Sequence, residues 1–210
     1  MAHLTISLMF LLISIFCISG TVVVESSKPS YPRRQSRAAA AYIQASCNKT
    51  SYPALCMEYL SMYANSSTIP SPLQMSQVAL SFSIDRAQST RSYISKELRA
   101  TKGKERENLE FCLDRLSVCV DSDLSDSIRE VHVLVSPRTP SDDVRSHISN
   151  VQTWVSAAMD DVTDCTESGS PGEKPIKLKG TIMVKLLNVE ESICIVLDLF
   201  DQYAERYYKS

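Results

Sequence analysis

The sequence predicts an all-α protein: an up-and-down four-helix bundle preceded by a small helical hairpin. Three observations predict it. Four long segments carry apolar residues at alternating three- and four-residue steps. Short stretches built on glycine and proline separate them, and a close cysteine pair precedes them around a Tyr-Pro step.

The chain opens on Met1, and residues 4–18 (LTISLMFLLISIFCI) form an uncharged apolar run followed by Ser19, Gly20 and Thr21. A membrane span needs about 20 apolar residues, so this shorter run reads as a secretory signal over residues 1–20, extending to about 27, rather than an anchor. Secretion places the remaining chain where disulfides persist, which weakens metal-clip and thiol-redox readings of the cysteines. Residues 28–36 lack periodicity and carry Pro29 and Pro32, and read as a flexible leader. The folded domain is assigned to 37–205, with the hairpin at 37–66 and the bundle at 72–205.

In the hairpin, RAAAAYIQA (37–45) is rich in helix formers and Pro53 can open a second helix. Cys47 and Cys56 would join its two arms. The first bundle helix places Leu73, Leu80, Ile84, Ala87, Ile94 and Leu98 on one stripe and stops near Lys102-Gly103. The second takes Leu109, Leu113, Leu116, Val120, Leu124, Ile128 and Val131, and ends before Ser136-Pro137 and Pro140. The third, capped by Ser141-Asp142-Asp143, takes Val144, Ile148, Val151, Val155, Ala158, Val162 and Cys165. After SGSPGEKP (168–175), the fourth takes Ile182, Leu186, Val189, Ile193, Val196, Phe200 and Tyr203. Breaks this short favour packing within one chain over an intermolecular coiled coil. Trp154 falls one step off its stripe and reads as a partly buried packing residue.

Six of the seven cysteines follow the signal and allow fifteen pairings. The second and third helices form an antiparallel hairpin turning near Arg138, with Cys112 26 residues before it and Cys165 27 after. Those two lie at equal height and pair, while Cys47 closes its own loop with Cys56. Cys119 and Cys194 would sit on diagonal helices and are expected as buried free thiols.

Equipment for catalysis is missing from the pattern. His132 and His147 flank the turn between the second and third helices without a nucleophile in a recognisable setting. Asp121, Asp123 and Asp126 resemble a calcium loop without its glycine and read as a solvated helix face, and Asp160, Asp164 and Glu167 share another acidic face. No phosphate-cradling glycine loop or spaced metal set occurs. With a net charge of −2 and no basic stripe, nucleic acid is not an expected partner. The chain is expected to bind rather than catalyse, with no cofactor, no metal and, once the signal is removed, no membrane association.

Three motifs carry a resemblance. CNKTSYPALCMEYLSMYA from Cys47, LEFCLDRLSVCVDSDL over 109–124 and HISNVQTWVSAAMDDVTDC over 147–165 resemble, in order and cysteine spacing, the motifs of the plant invertase and pectin methylesterase inhibitor family. The likeness spans about residues 38–203. It implies a four-helix bundle with an amino-terminal hairpin, bridged first cysteine to second and third to fourth, which agrees with the pairings reached from geometry. It also implies a secreted inhibitor of the apoplast and cell wall that covers an enzyme's active-site cleft without a covalent step. SPLQMSQVALSFSIDRA (71–87) and HISNVQTWVSAA are closer to the pectin methylesterase inhibitors, and the Pro-Lys-Phe element associated with invertase inhibition is absent.

The expected partner is therefore pectin methylesterase, in a 1:1 complex that leaves pectin more methyl-esterified. Invertase inhibition, or a non-inhibitory wall protein that binds polysaccharide, is the alternative. Asp121, Asp160, Asp161, Thr163 and Asp164 are the candidate interface residues. Asn65 and Asn48 are candidate glycan acceptors, Asn65 being the better because Asn48 lies within the disulfide loop.

Overall fold

The computed structural model describes residues 33–61, 70–136, 141–168 and 178–209. The signal segment, residues 28–32 of the leader, Asn65 and most of the connection preceding the fourth bundle helix lie outside the described residues. Within them, every regular element is helical.

Helix α1 (Arg33–Cys47) starts inside the stretch read as leader, which corrects that boundary. Beyond Pro32 the chain runs through arginine, glutamine and alanine, all good helix formers, and nothing breaks it before Cys47. Pro53 opens α2 (Pro53–Leu60) at the first turn as expected, because its missing N–H and fixed φ suit that position. The Cys47–Cys56 disulfide closes the intervening turn with 5.5 Å between the Cα atoms. Thr50 is buried in that turn and its hydroxyl donates to the Cys47 carbonyl at 2.8 Å.

The first bundle helix, α3 (Pro72–Leu98), begins on a complete capping box. Ser71 Oγ accepts from the Gln74 N–H at 3.2 Å, and Gln74 Oε1 accepts from the Ser71 N–H at 2.8 Å. Of the expected stripe, Leu73, Leu80, Ala87 and Ile94 are buried and Ile84 and Leu98 only partly covered, and Ser76, Ser83 and Thr90 are buried as well. Ser76 and Ser83 satisfy their hydroxyls on carbonyls one turn back, each at 3.0 Å. Ala79 and Ala87 are buried with these small residues, and the last helix is the most extensive packing partner of α3.

Gly103 turns the chain with φ of 64°, a conformation open to glycine at little cost. The second bundle helix follows as one rod in three parts: α4 (Lys104–Val118), a π-helical segment (Cys119–Leu124) and α5 (Ser125–Val135). The third is α6 (Ser141–Thr163), continued by a second π-helical segment (Asp164–Ser168), and the fourth is α7 (Gly180–Lys209). Neighbours pack around a ring, α3 with α4 and α5, these with α6, α6 with α7 and α7 with α3, as an up-and-down bundle requires.

The core is continuous: Leu80, Ile94, Leu109, Leu116, Leu124, Ile148, Leu186, Ile193 and Phe200 are all essentially inaccessible. The stripes expected on α6 and α7 are buried, apart from the partly covered Val144 and Tyr203 at their ends. The hairpin docks on α3 and α7. Its Tyr59 ring stacks on Phe82 at 4.8 Å, Ser51 N–H donates to Asp198 at 2.6 Å, and Arg206 of α7 donates to the Tyr42 hydroxyl at 2.7 Å.

Candidate functional site

The face shared by the second rod and α6 is shaped by the first π-helical segment. A π turn carries more residues than an α turn, so it widens the inward side of the helix. Cys119, Val120, Asp123 and Leu124 are all buried on that side. Ser125 Oγ caps the distortion by donating to the Val120 carbonyl at 2.7 Å, and Ser127 Oγ donates to the Asp123 carbonyl at 2.7 Å. The expected Leu113 and Ile128 are only partly covered, and Cys112, Cys119, Asp123 and Ser127 take the inner positions.

Asp123 faces Asp161 of α6, and the two buried carboxyls lie against each other. Arg115 of α4 bridges outward from this pair, contacting Asp161 Oδ1 and, at 3.1 Å, Asp164 Oδ2. Burial pushes the Asp161 carboxyl up to about 7, its contact with Asp123 adds to the rise, and Arg115 opposes it. Asp123 is also raised, chiefly by burial. Arg91 of α3 pairs with Asp121 at 2.7 Å on the flank, and Arg129 pairs with Asp126.

The five candidate interface residues thus divide. Asp121, Asp160 and Asp164 are exposed, and Thr163 is half-buried. Asp161 is 3% exposed, so it is corrected from a contact residue to a buried one: Asp123 and Arg115 cover it. Asp123 likewise does not belong to a solvated face. It sits among acids that read as a wet face, but Leu116, Val120, Asp123 and Ser127 recur at steps of four, three and four residues, so helical periodicity itself places it inward. Glu167's side chain lies outside what is described. His132 is exposed, and His147 Nδ1 meets Glu130 across the α5–α6 contact at 2.5 Å.

Alongside Asp160, α6 presents a shallow open groove lined by Ser149, Gln152, Thr153, Ser156 and Ala157. Gln152 is fixed at its edge by donating to Asp201 of α7 at 2.8 Å. No interface role was assigned to these residues from sequence, although the signal was available: small polar residues at helical spacing opposite the Val151–Val155–Ala158–Val162 stripe. Trp154 is half-buried, as expected.

The cysteines also divide. Cys112 and Cys165 are buried and their side chains lie against each other, but both are thiols here, so the expected cross-link is not formed in this structure. That contact with Cys112 and burial push the Cys165 thiol up. Cys119 is a buried free thiol raised by burial and by Asp161 and Asp123. Cys194 is free but only partly buried, and its thiol is raised by burial and by Glu190, Asp198 and Glu191. Asn48 is exposed, while the Thr50 of its sequon is buried.

Comparison with known proteins adds the following. The family model for plant invertase/pectin methylesterase inhibitors matches residues 41–199. Pectinesterase inhibitor 11 of Arabidopsis thaliana is 30% identical over 200 residues, 94% of this chain and 98% of its own length. Pectinesterase inhibitor 9 of Arabidopsis thaliana is 35% identical over 168 residues, 79% of this chain and 81% of its own. The crystal structure of mutant form A of a pectin methylesterase inhibitor from Arabidopsis matches the fold with a TM-score of 0.55 at 14% identity, covering 74% of this chain and 92% of that one.

Proposed function

The chain belongs to the plant invertase/pectin methylesterase inhibitor family, and from that premise we propose that it inhibits a plant pectin methylesterase by reversible, non-covalent occlusion of the active-site cleft. One observation carries the reading: the match to relatives named as pectinesterase inhibitors runs along nearly the whole chain, hairpin and all bundle helices included. The family is one of inhibitors rather than enzymes.

The contact surface we assign is the outer face of α6 with its flank on the second rod. The groove at Ser149, Thr153 and Ser156 admits close approach, since small side chains leave room for an enzyme rim. Asp160 supplies negative charge in it, while Asp121, paired with Arg91, and Asp164, paired with Arg115, are exposed on the second rod and at the end of the third helix, and Thr163 adds a hydroxyl. A patch of about 800 Å² per partner is usual for such a complex. Rigid packing beneath the face limits the ordering cost of binding, and no reactive group is needed because exclusion of substrate suffices. The protein acts in the apoplast after signal removal, in a 1:1 complex, and holds pectin at higher methyl-esterification with fewer free carboxylates for calcium cross-links. In that oxidising setting the adjacent Cys112 and Cys165 form the second disulfide. Among the described residues no helix is long and apolar enough to cross a membrane.

Purified mature protein is titrated against panels of plant pectin methylesterases and invertases, with residual activity read across pH. Saturable loss of pectin methylesterase activity with invertases untouched is the expected result. Inhibition confined to the invertases reassigns the target, and co-sedimentation with pectin in the absence of any inhibition removes the proposal.

A further inference from the structure

We propose that Asp123 and Asp161 share one proton, and that this proton is a pH-sensitive clamp fastening the π-helical segment of the second bundle helix to α6. The geometry requires a donor that ionised side chains cannot supply. The two acids are 4% and 3% exposed, stand on facing helices and contact each other through their carboxyls. An ionised carboxylate only accepts, so a hydrogen bond between two of them needs a proton on one. Asp161 Oδ1 is taken by Arg115, while its buried Oδ2 has no donor among the described residues. A proton shared with Asp123 fills that position.

The charges around the pair lead to the same conclusion. From the second rod, Arg115, the Cys119 thiol, the Ser122 hydroxyl and Asp126 face it, Asp126 being held by Arg129. From the third helix comes Asp164, and from α3 comes Arg91, which faces Cys119 and is already paired with Asp121. Arg115 alone is left to balance Asp123, Asp161 and Asp164. Holding a proton between the two inner carboxyls removes one buried charge and leaves a single buried carboxylate beside Arg115, the remaining acid, Asp164, being solvated.

The pH dependence has a definite sign. An unfolded Asp titrates near 3.9, whereas the folded pair retains a proton up to about 7, the value for Asp161. The folded state binds more protons throughout that window, so stability falls as pH rises through it and levels off above. Below about pH 4 both states are protonated and the contribution is fully present. Once the proton leaves, the two carboxylates repel across the α6 contact and Arg115 is drawn inward from Asp164.

Two measurements test the clamp. Carboxyl ¹³C NMR titration of the full mature protein is expected to show one Asp titrating near 7 and coupled to a second. Denaturant unfolding between pH 4.5 and 7.5 is compared with Asp123→Asn, whose amide offers Asp161 a donor that pH cannot remove. The wild-type unfolding constant is expected to rise across this range by about tenfold or more relative to the variant, since each unit of pKa difference corresponds to a factor of ten. The contact of His147 with Glu130 between these helices is common to both proteins and cancels. Both carboxyls titrating in the ordinary acid range, or an unchanged slope in Asp123→Asn, overturns the proposal. Should the variant fail to fold, the NMR titration of the unaltered protein decides alone.

Discussion

Cys112 on α4 and Cys165 at the start of the second π-helical segment meet side chain to side chain in the core between the second and third bundle helices. Neither is accessible. Protein secreted into an oxidising medium is expected to carry this bridge, seen as two disulfides by intact mass and by thiol labelling after denaturation, with Cys119 and Cys194 alkylated. Closing a loop of this length is worth about 4 kcal/mol in the chain-entropy account. The Cys112→Ala, Cys165→Ala protein should unfold at correspondingly lower denaturant. Labelling of four cysteines under those oxidised conditions would show that the pair stays reduced.

Arg115 is the one side chain bound to both the buried Asp161 and the exposed Asp164. Its removal strands a buried carboxylate, which is costlier than losing a surface pair because the charge keeps its desolvation penalty without its partner. Arg115→Ala is expected to cost about 3 kcal/mol at neutral pH in denaturant unfolding, and less at pH 5, where the carboxyl pair is protonated. Reversing Asp164 alone breaks only the outer contact and should change stability by under about 1 kcal/mol.

The contrast between those two acids shows how much could be read from the chain. The bundle was legible because Ile148, Val151, Val155, Ala158, Val162 and Cys165 repeat at helical steps and are all inaccessible. Asp161 was also within reach, three residues past Ala158 and beside Val162 at the margin of the same stripe. Asp123 lies at a helical step from Leu116, Val120 and Ser127, but its place in a run of acids reads as a solvated face, and no sequence signal shows the partner that covers it. Arg115 was hidden for a different reason, since a long side chain can reach from a half-exposed position to a buried partner and leaves no periodic trace.

The capping box of α3 gives a local test. Ser71 and Gln74 each satisfy an N–H that the helix itself cannot, so Ser71→Ala is expected to destabilise by about 1 kcal/mol and Ser71→Asp to restore most of that. Thermal unfolding resolves the difference, and because α3 packs most extensively on α7 the loss should appear in the global transition rather than as local fraying.

The interface assignment on α6 predicts separate kinetic signatures for charge and shape. Asp160 is exposed at the rim of the groove, where a charge steers encounter more than it holds the complex. Asp160→Lys should slow association with a basic pectin methylesterase by about tenfold at low salt and flatten the salt dependence, leaving dissociation nearly unchanged. Ser156 lies within the groove, where added bulk blocks close approach. Ser156→Trp should accelerate dissociation by about a hundredfold or abolish inhibition while leaving the thermal midpoint in place, since the residue faces solvent and not the core. Surface-plasmon kinetics separate the two rates. Full inhibition by both variants, with wild-type rate constants, would move the contact surface off α6 even if pectin methylesterase remains the target.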